Sequence, residues 1–181
     1  MTGTLYLIVG PSGVGKDSLL EGAKAKLSND PIYHFPQRFI TRPQDAGGED
    51  HIAIEPSEFE LKRQRGELAL FWNAHGLSYG VPADIAARLE RGQQVVVNVS
   101  RAILDEARQQ FSPLVVVSIT APSEVIEQRL IARGRETPSE IADRIARAAA
   151  YDVTGADVIL LSNDASLEAG VSKLVEILET S

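Results

Sequence analysis

The sequence of 181 residues contains no cysteine. That excludes a disulfide framework, a thiol nucleophile and a thiolate metal site, and it fits a reducing compartment. Positive charge is also scarce: 18 Lys and Arg stand against 25 Asp and Glu, a formal net charge of −7. A balance of that sign argues against a general binder of nucleic acid or membrane surface. Any anionic ligand must then be held by cations placed locally. No apolar run is long enough to cross a bilayer. The first such run, Leu5–Val9, is too short and lacks the basic lead of a signal peptide, so the cytoplasm is the expected location. Repeats, low-complexity tracts and linkers are missing too. What remains is an ordinary globular composition, 44% hydrophobic and 24% charged, long enough for one full core over residues 1–181.

Against these absences stands Gly10-Pro11-Ser12-Gly13-Val14-Gly15-Lys16, set between the apolar run Leu5–Val9 and a segment with helical periodicity at Leu19, Leu20, Ala23 and Leu27. Strand, glycine loop and helix in that order are the context of a phosphate-binding loop. The glycines let successive N–H groups turn into one concavity, the helix adds its partial positive end, and Lys16 reaches a terminal phosphate. A plain glycine turn opening a helix is the alternative, and the added lysine weighs against it. After the lysine the pattern calls for Ser or Thr, whereas this chain has Asp17 and then Ser18. Asp17 reads as a first-turn acid complementing the helix dipole or as a carboxylate ligand of Mg²⁺, with Ser18 beside it; the metal role is preferred, because a carboxylate next to a triphosphate needs a cation.

Strand-like runs recur at 5–9, 94–99, 114–119 and 157–161, nearly continuous in Val, Ile and Leu. Such runs suit strands buried on both faces of a parallel sheet. Helical patterns at 16–28, 101–110, 123–133, 139–150 and 166–179 alternate with them. The expected fold is α/β, a doubly wound parallel sheet. Sheets of this kind bind ligands beyond the carboxyl ends of their strands. The glycine loop and Asn98-Val99-Ser100-Arg101 are therefore expected to share a crevice. Residues 33–80 break the alternation with shorter apolar pieces at 38–41, 51–54 and 68–72, turns at Pro43–Gly48 and His75-Gly76, and a helix near Pro56 with Ser57 as its N-cap. This stretch reads as a small mixed insertion in one domain. Within it, Phe71 and Trp72 read as packing residues and His75 as a turn residue.

Several motifs in order now resemble the guanylate kinase-like branch of the nucleoside monophosphate kinases: the loop Gly10–Lys16, Thr41-Arg42-Pro43, Gly66-Glu67, His75-Gly76, Tyr79-Gly80, Arg129-Leu130, Arg133-Gly134, Arg144 and Ser162-Asn163-Asp164. The resemblance spans nearly the whole chain. It implies a P-loop kinase fold in which the insertion binds the phosphoryl acceptor. It also implies a helical lid, about 129–147, that closes its arginines over the ATP phosphates, with Asn163-Asp164 near the adenine. Where that family recognises a guanine nucleotide, this chain differs. Its second phosphate-binding arginine falls on Asp45, its tyrosine on His51, its guanine-pairing glutamate on Leu70 and another tyrosine on Ser78. A site built for hydrogen bonding loses orders of magnitude when its partners vanish, so a guanine nucleotide is not the expected acceptor. These departures, with Lys16–Leu20, Phe39–Pro43 and Trp72–Leu77, resemble the ribose 1,5-bisphosphate phosphokinases of bacterial phosphonate utilisation. That likeness implies a small sugar phosphate as substrate, ATP and Mg²⁺ as cofactors, and 5-phosphoribosyl 1-diphosphate as product. It involves neither nucleic acid nor membrane, in a monomer or homodimer.

An acceptor phosphate with a second pKa near ~6 is already nucleophilic at neutral pH, so alignment and charge stabilisation suffice without a general base. Lys16, Arg133 and Arg144 are the expected catalytic cations, and Arg129 joins them at the nucleotide. Arg129 and Arg133 lie one helical turn apart, as a solvated basic face also would, and Arg147 follows Arg144 by three. Two such pairs flanking Gly134–Pro138 favour the lid. For the acceptor the candidates are Arg38, Arg42, His51, Tyr79, Asn98, Ser100 and Arg101. Arg38 serves equally as a solvated strand-edge residue, and Arg101 as the start of a solvated helix. Two rivals remain open: a nucleoside monophosphate kinase with altered base choice, and a guanylate kinase-like interaction module without catalysis.

Overall fold

The computed structural model describes residues 2–45 and 50–181; of the expected turn Pro43–Gly48, Ala46, Gly47 and Gly48 lie outside the described residues. In chain order the strands are β1 (Leu5–Val9), β2 (Tyr33–His34), β3 (Phe39–Ile40), β4 (Ile52–Ala53), β5 (Leu68–Ala74), β6 (Leu77–Pro82), β7 (Gln94–Asn98), β8 (Leu114–Thr120) and β9 (Val158–Ser162). The α-helices are α1 (Lys16–Leu27), α2 (Pro56–Gln64), α3 (Ile85–Glu90), α4 (Leu104–Gln110), α5 (Ser123–Arg133), α6 (Pro138–Ala149) and α7 (Leu167–Thr180). Among the described residues no helix is long and apolar enough to cross a membrane. Two compact units are present: Met1–Leu5 with Asp30–Leu114, and Tyr6–Asn29 with Val115–Ser181.

In the second unit β1, β8 and β9 lie side by side in that order, and β8 runs parallel to β9 from Val116 opposite Val158 to Thr120 opposite Ser162. Their apolar runs are buried without alternation, Tyr6 to Val9 in β1 and Val116, Val117 and Ile119 in β8, as a sheet covered on both faces demands. Helices α5 and α6 share a small core of Ile126, Leu130 and Ile141. The link between them is fixed at both ends. Helix α5 stops at Gly134, whose left-handed φ of 67° closes the C-cap. Helix α6 starts on a capping box, in which the Glu140 N–H donates to Thr137 Oγ1 and the Thr137 N–H to Glu140 Oε2, followed by Pro138.

In the first unit β2 and β7 pair in parallel, Tyr33 opposite Gln94. A separate four-stranded sheet in the order β4-β3-β6-β5 is mixed, with β3 parallel to β4 and antiparallel to β6. This is the insertion expected from the broken alternation. β5 and β6 form a hairpin closed by His75 (φ 53°) and Gly76 (φ 74°), so His75 is the turn residue that the sequence suggests. The expected cap on Ser57 is corrected. Helix α2 begins at Pro56 with Glu55 at the N-cap and no side-chain cap hydrogen bond, because proline with its preset φ takes the first helical position and draws Ser57 inside. The single helix expected over 101–110 divides into a 3-10 turn, Arg101–Ile103, and α4. The α/β reading with a parallel core holds.

Candidate functional site

The glycine loop leaves buried β1 and enters α1 through Gly15, the N-cap, at φ 88° and ψ 20°. Only a residue without a side-chain penalty takes that conformation freely. A Cβ there would also lie 2.7 Å from Asn163 Nδ2. Lys16 is the first residue of α1 and folds back across the loop, its ammonium donating to the Gly10 carbonyl at 3.0 Å. Asp17 and Ser18 follow on the exposed side of the first turn.

Three side chains from later in the same unit converge on this loop. Asn163, just past β9 and 4% exposed, donates from Nδ2 to the Val14 carbonyl at 2.8 Å, and its own N–H donates to Thr120 O at 2.7 Å. Its Oδ1 is buried without a hydrogen-bond partner among the described residues. Arg129 of α5 donates to the Val14 carbonyl at 3.2 Å and to the Asn163 carbonyl at 2.8 Å, tying the loop to the end of β9. Arg144 of α6 donates from Nη1 to Ser12 Oγ, and its Nη2 lies 3.5 Å from Glu136 Oε1. The same carboxylate oxygen accepts from Arg133 Nη2. That hydrogen bond, then the charges of Arg133, Arg144 and Arg135, holds the Glu136 carboxyl below its ordinary range against the opposing effect of burial. Asp164 is held low as well, first by a hydrogen bond from the Ser162 side chain and then by the Lys173 charge; the Lys173 ammonium lies 3.5 Å away.

Lys16, Arg129 and Arg144 thus contact one loop of backbone amides at a helix N-terminus, with Arg133 linked to Arg144 through Glu136, an arrangement suited to a polyphosphate. Among the described residues no group of three or more His, Cys, Asp or Glu is placed to hold a metal. The oxygen donors of Asp17 and Ser18 fit Mg²⁺ only in the usual manner of that ion, with waters and substrate phosphates completing the shell. Glu136 escaped the sequence reading as a functional residue. It follows Arg133 by three, but Gly134 ends the helix between them, so helical spacing gave no signal.

The other candidates gather in the first unit. Arg38, just before β3, is 7% exposed and so is not the solvated edge residue that its position allowed. Its guanidinium lies 5.3 Å from the Tyr79 ring and 5.8 Å from the Trp72 ring, and Nη1 donates to the Asn98 carbonyl at 3.3 Å. Trp72 and Tyr79 face each other across the β5–β6 hairpin as a parallel stack with centroids 5.5 Å apart. Arg42 and His51 form a second pair. His51, 1% exposed, is 2.9 Å from the Arg42 carbonyl through Nε2, and its Nδ1 is 3.5 Å from Arg42 Nη2. A carbonyl only accepts, so Nε2 is the donor in the 2.9 Å contact. Leu70, at the position where the resemblance sets a base-pairing acid, has no exposure at all. Ser100 caps the 3-10 turn, accepting from the Ala102 N–H at 3.2 Å, and Arg101 is exposed at the start of that turn. Arg38, Tyr79 and Asn98 come together, as do Arg42 and His51.

The guanylate kinase family model matches residues 2–181. The ribose 1,5-bisphosphate phosphokinase PhnN of Acidiphilium cryptum is 47% identical over 177 residues, which are 98% of this chain and 93% of that protein. A bifunctional ribose 1,5-bisphosphokinase-thymidine phosphorylase of Roseobacter denitrificans is 45% identical over 178 residues, 98% of this chain, but the chain spans only 26% of that protein's length. Among solved structures, guanylate kinase from Anaplasma phagocytophilum matches with a TM-score of 0.68 and 19% identity, covering 98% of this chain and 85% of that one. At that identity the likeness is one of fold.

Proposed function

This chain belongs to the guanylate kinase family, in the branch of the ribose 1,5-bisphosphate phosphokinases, and we propose that it transfers the γ-phosphoryl group of ATP to ribose 1,5-bisphosphate. The products are ADP and 5-phospho-α-D-ribose 1-diphosphate. In this reading residues 1–181 act as one kinase domain of the cytoplasm, with the acceptor held by the 33–80 segment and the lid formed by 129–147.

The observation that carries the choice of acceptor is the inside of the small mixed sheet. Leu70 of β5 is fully buried, and in the same unit the buried polar side chains include Arg38, His51 and Asn98. A guanine base would face an aliphatic side chain where it needs a hydrogen-bond partner, a loss of about 1–3 kcal/mol for each group left unpaired. A bisphosphate asks instead for two cationic points. Arg42, beside His51, supplies one; Arg38, held by Trp72, Tyr79 and the Asn98 carbonyl, supplies the other.

An oxygen of the acceptor 1-phosphate attacks the γ-phosphorus, the bond from that phosphorus to the ADP oxygen breaks, and the electron pair leaves on ADP. The acceptor phosphate is mostly dianionic at neutral pH, so no side chain has to remove a proton. Lys16, whose ammonium lies across the loop at Gly10 O, and Arg133 and Arg144 take up the charge that develops on the transferred group. Asp17 and Ser18 would hold Mg²⁺, which would supply charge neutralisation for the nucleotide phosphates.

Initial rates of ADP release, with product identity read by phosphorus NMR, test the proposal with ribose 1,5-bisphosphate, GMP, AMP and dTMP as acceptors. The expected kcat/KM for the bisphosphate exceeds that for any nucleotide by about 10³ or more. A nucleoside monophosphate used as well as the bisphosphate would overturn it.

A further inference from the structure

We infer that Glu136 is a positioning residue that holds Arg133 and Arg144 together as one clamp for the terminal phosphate of the bound nucleotide. The inference rests on the donor-site reading above but not on the identity of the acceptor. Glu136 sits in the link between α5 and α6, between the left-handed Gly134 cap on one side and the Thr137–Glu140 capping box on the other. Both caps fix the backbone that carries it. Its side chain is only 6% exposed, and Oε1 engages both Arg133 Nη2 and Arg144 Nη2. Arg144 continues to Ser12 Oγ in the glycine loop. A single connected path, Arg133–Glu136–Arg144–Ser12, therefore joins the lid turn to the phosphate-binding loop.

Two opposing effects follow from a carboxylate at this point. It lowers the local positive potential and so weakens attraction for any phosphate. It also orders two long cationic side chains that would otherwise repel each other and spread over many rotamers. Geometry decides between them. Two positive charges face one negative charge, so the cluster stays cationic, and the carboxylate contacts one nitrogen of each guanidinium. A guanidinium carries five N–H donors in a rigid fork, which leaves donors on both arginines to meet phosphate oxygens. Glu136 thus orients the pair without occupying it. The Oε2 atom is buried without a hydrogen-bond partner among the described residues, so the contacts to the two arginines run through Oε1.

The test is the preference for Mg·ATP over Mg·ADP, since only ATP carries the phosphate that meets the clamp. Calorimetric titrations of wild type, E136Q and E136D, with Tm recorded for each, give the ratio of the two Kd values without any acceptor present. E136Q is expected to reduce that preference about fivefold, leaving the ADP Kd within about twofold. E136D, which keeps the charge one methylene shorter, is expected to recover part of the loss and provides the reading if the glutamine variant does not fold. In an R133A/R144A background the preference is already gone, and E136Q should add nothing. An unchanged ratio overturns the inference. So does a ratio that rises, which would make Glu136 a competitor of the phosphate, or equal weakening of ATP and ADP, which would make its role merely structural. A wild type that shows no preference also sinks it. If E136Q loses the preference while wild type ignores ribose 1,5-bisphosphate, the acceptor reading falls and this one stands; the reverse pattern removes this one alone.

Discussion

Replacing Gly15 by alanine probes how rigidly the phosphate-binding loop is supported from below. Two costs are expected. The first is conformational: at φ 88° a Cβ is strained, by about 1–2 kcal/mol. The second is a collision, because the new methyl would lie 2.7 Å from Asn163 Nδ2. Asn163 has little room to yield. Its backbone N–H is bound to Thr120 O at 2.7 Å, its Nδ2 to Val14 O at 2.8 Å, and a Cβ on neighbouring Gly170 would be only 2.5 Å from its Oδ1. Displacing the amide strands a buried donor, which costs about 1–3 kcal/mol. The total is about 2–5 kcal/mol, a large share of the stability of a domain this size. Gly134 is the internal control: its φ is 67°, yet nothing lies within 4 Å of an added Cβ, so Gly134→Ala should cost only the first term, about 1–2 kcal/mol. Urea unfolding followed by circular dichroism measures both variants. Asn163→Ala clears the obstacle, so Gly15→Ala made in that background should fall to the cost of Gly134→Ala. If Gly15→Ala is no worse than Gly134→Ala in the wild-type background, Asn163 is not a fixed support and the reasoning fails.

Arg144→Ala should lower kcat by about 10²-fold and raise KM for ATP by a smaller factor, about five- to tenfold, because Arg144 meets the terminal phosphate in the ground state and more strongly in the transition state; unaltered turnover refutes the transition-state role. Asp17→Ala should raise the Mg²⁺ concentration needed for half-maximal rate several-fold, and an unchanged magnesium titration would leave Asp17 as a helix-dipole acid only. For Glu136 the sign follows from a carboxyl pKa lowered from 4.5 in the folded state, chiefly by the Arg133 hydrogen bond. Its stabilising contribution is complete above 4.5 and is lost as the pH falls through the lower folded value. The stability difference between wild type and E136Q should therefore stay flat from pH 8 to about 5 and shrink only in more acid solution. A difference that shrinks between pH 7 and 5 contradicts this.

Much of the molecule was legible in the order of residues. β1, the glycine loop and α1 are local features, written in one apolar run, three glycines and a helical period, and they appear within a residue of their expected ends. The same holds for β8, β9, α5 and α7, whose buried faces repeat over short windows. The short elements β2, β6 and α3 carried no such signal; β6, for example, mixes Ser78, Tyr79 and Gly80, and only its pairing with β5 makes it a strand. The side-chain arrangements lay further out of reach. Asn163 supports Val14 from 149 positions away, Arg144 meets Ser12 across 132, and Arg38 finds Asn98 across 60. By itself the sequence determined most of the strands and helices and marked the glycine loop as the candidate phosphate site, because backbone hydrogen bonding and burial periodicity act over a few residues. Only the tertiary structure decided that Glu136 joins two arginines, that Arg38 is buried on an aromatic stack and that Asn163 braces the loop, because each depends on long-range packing that spacing along the chain does not encode.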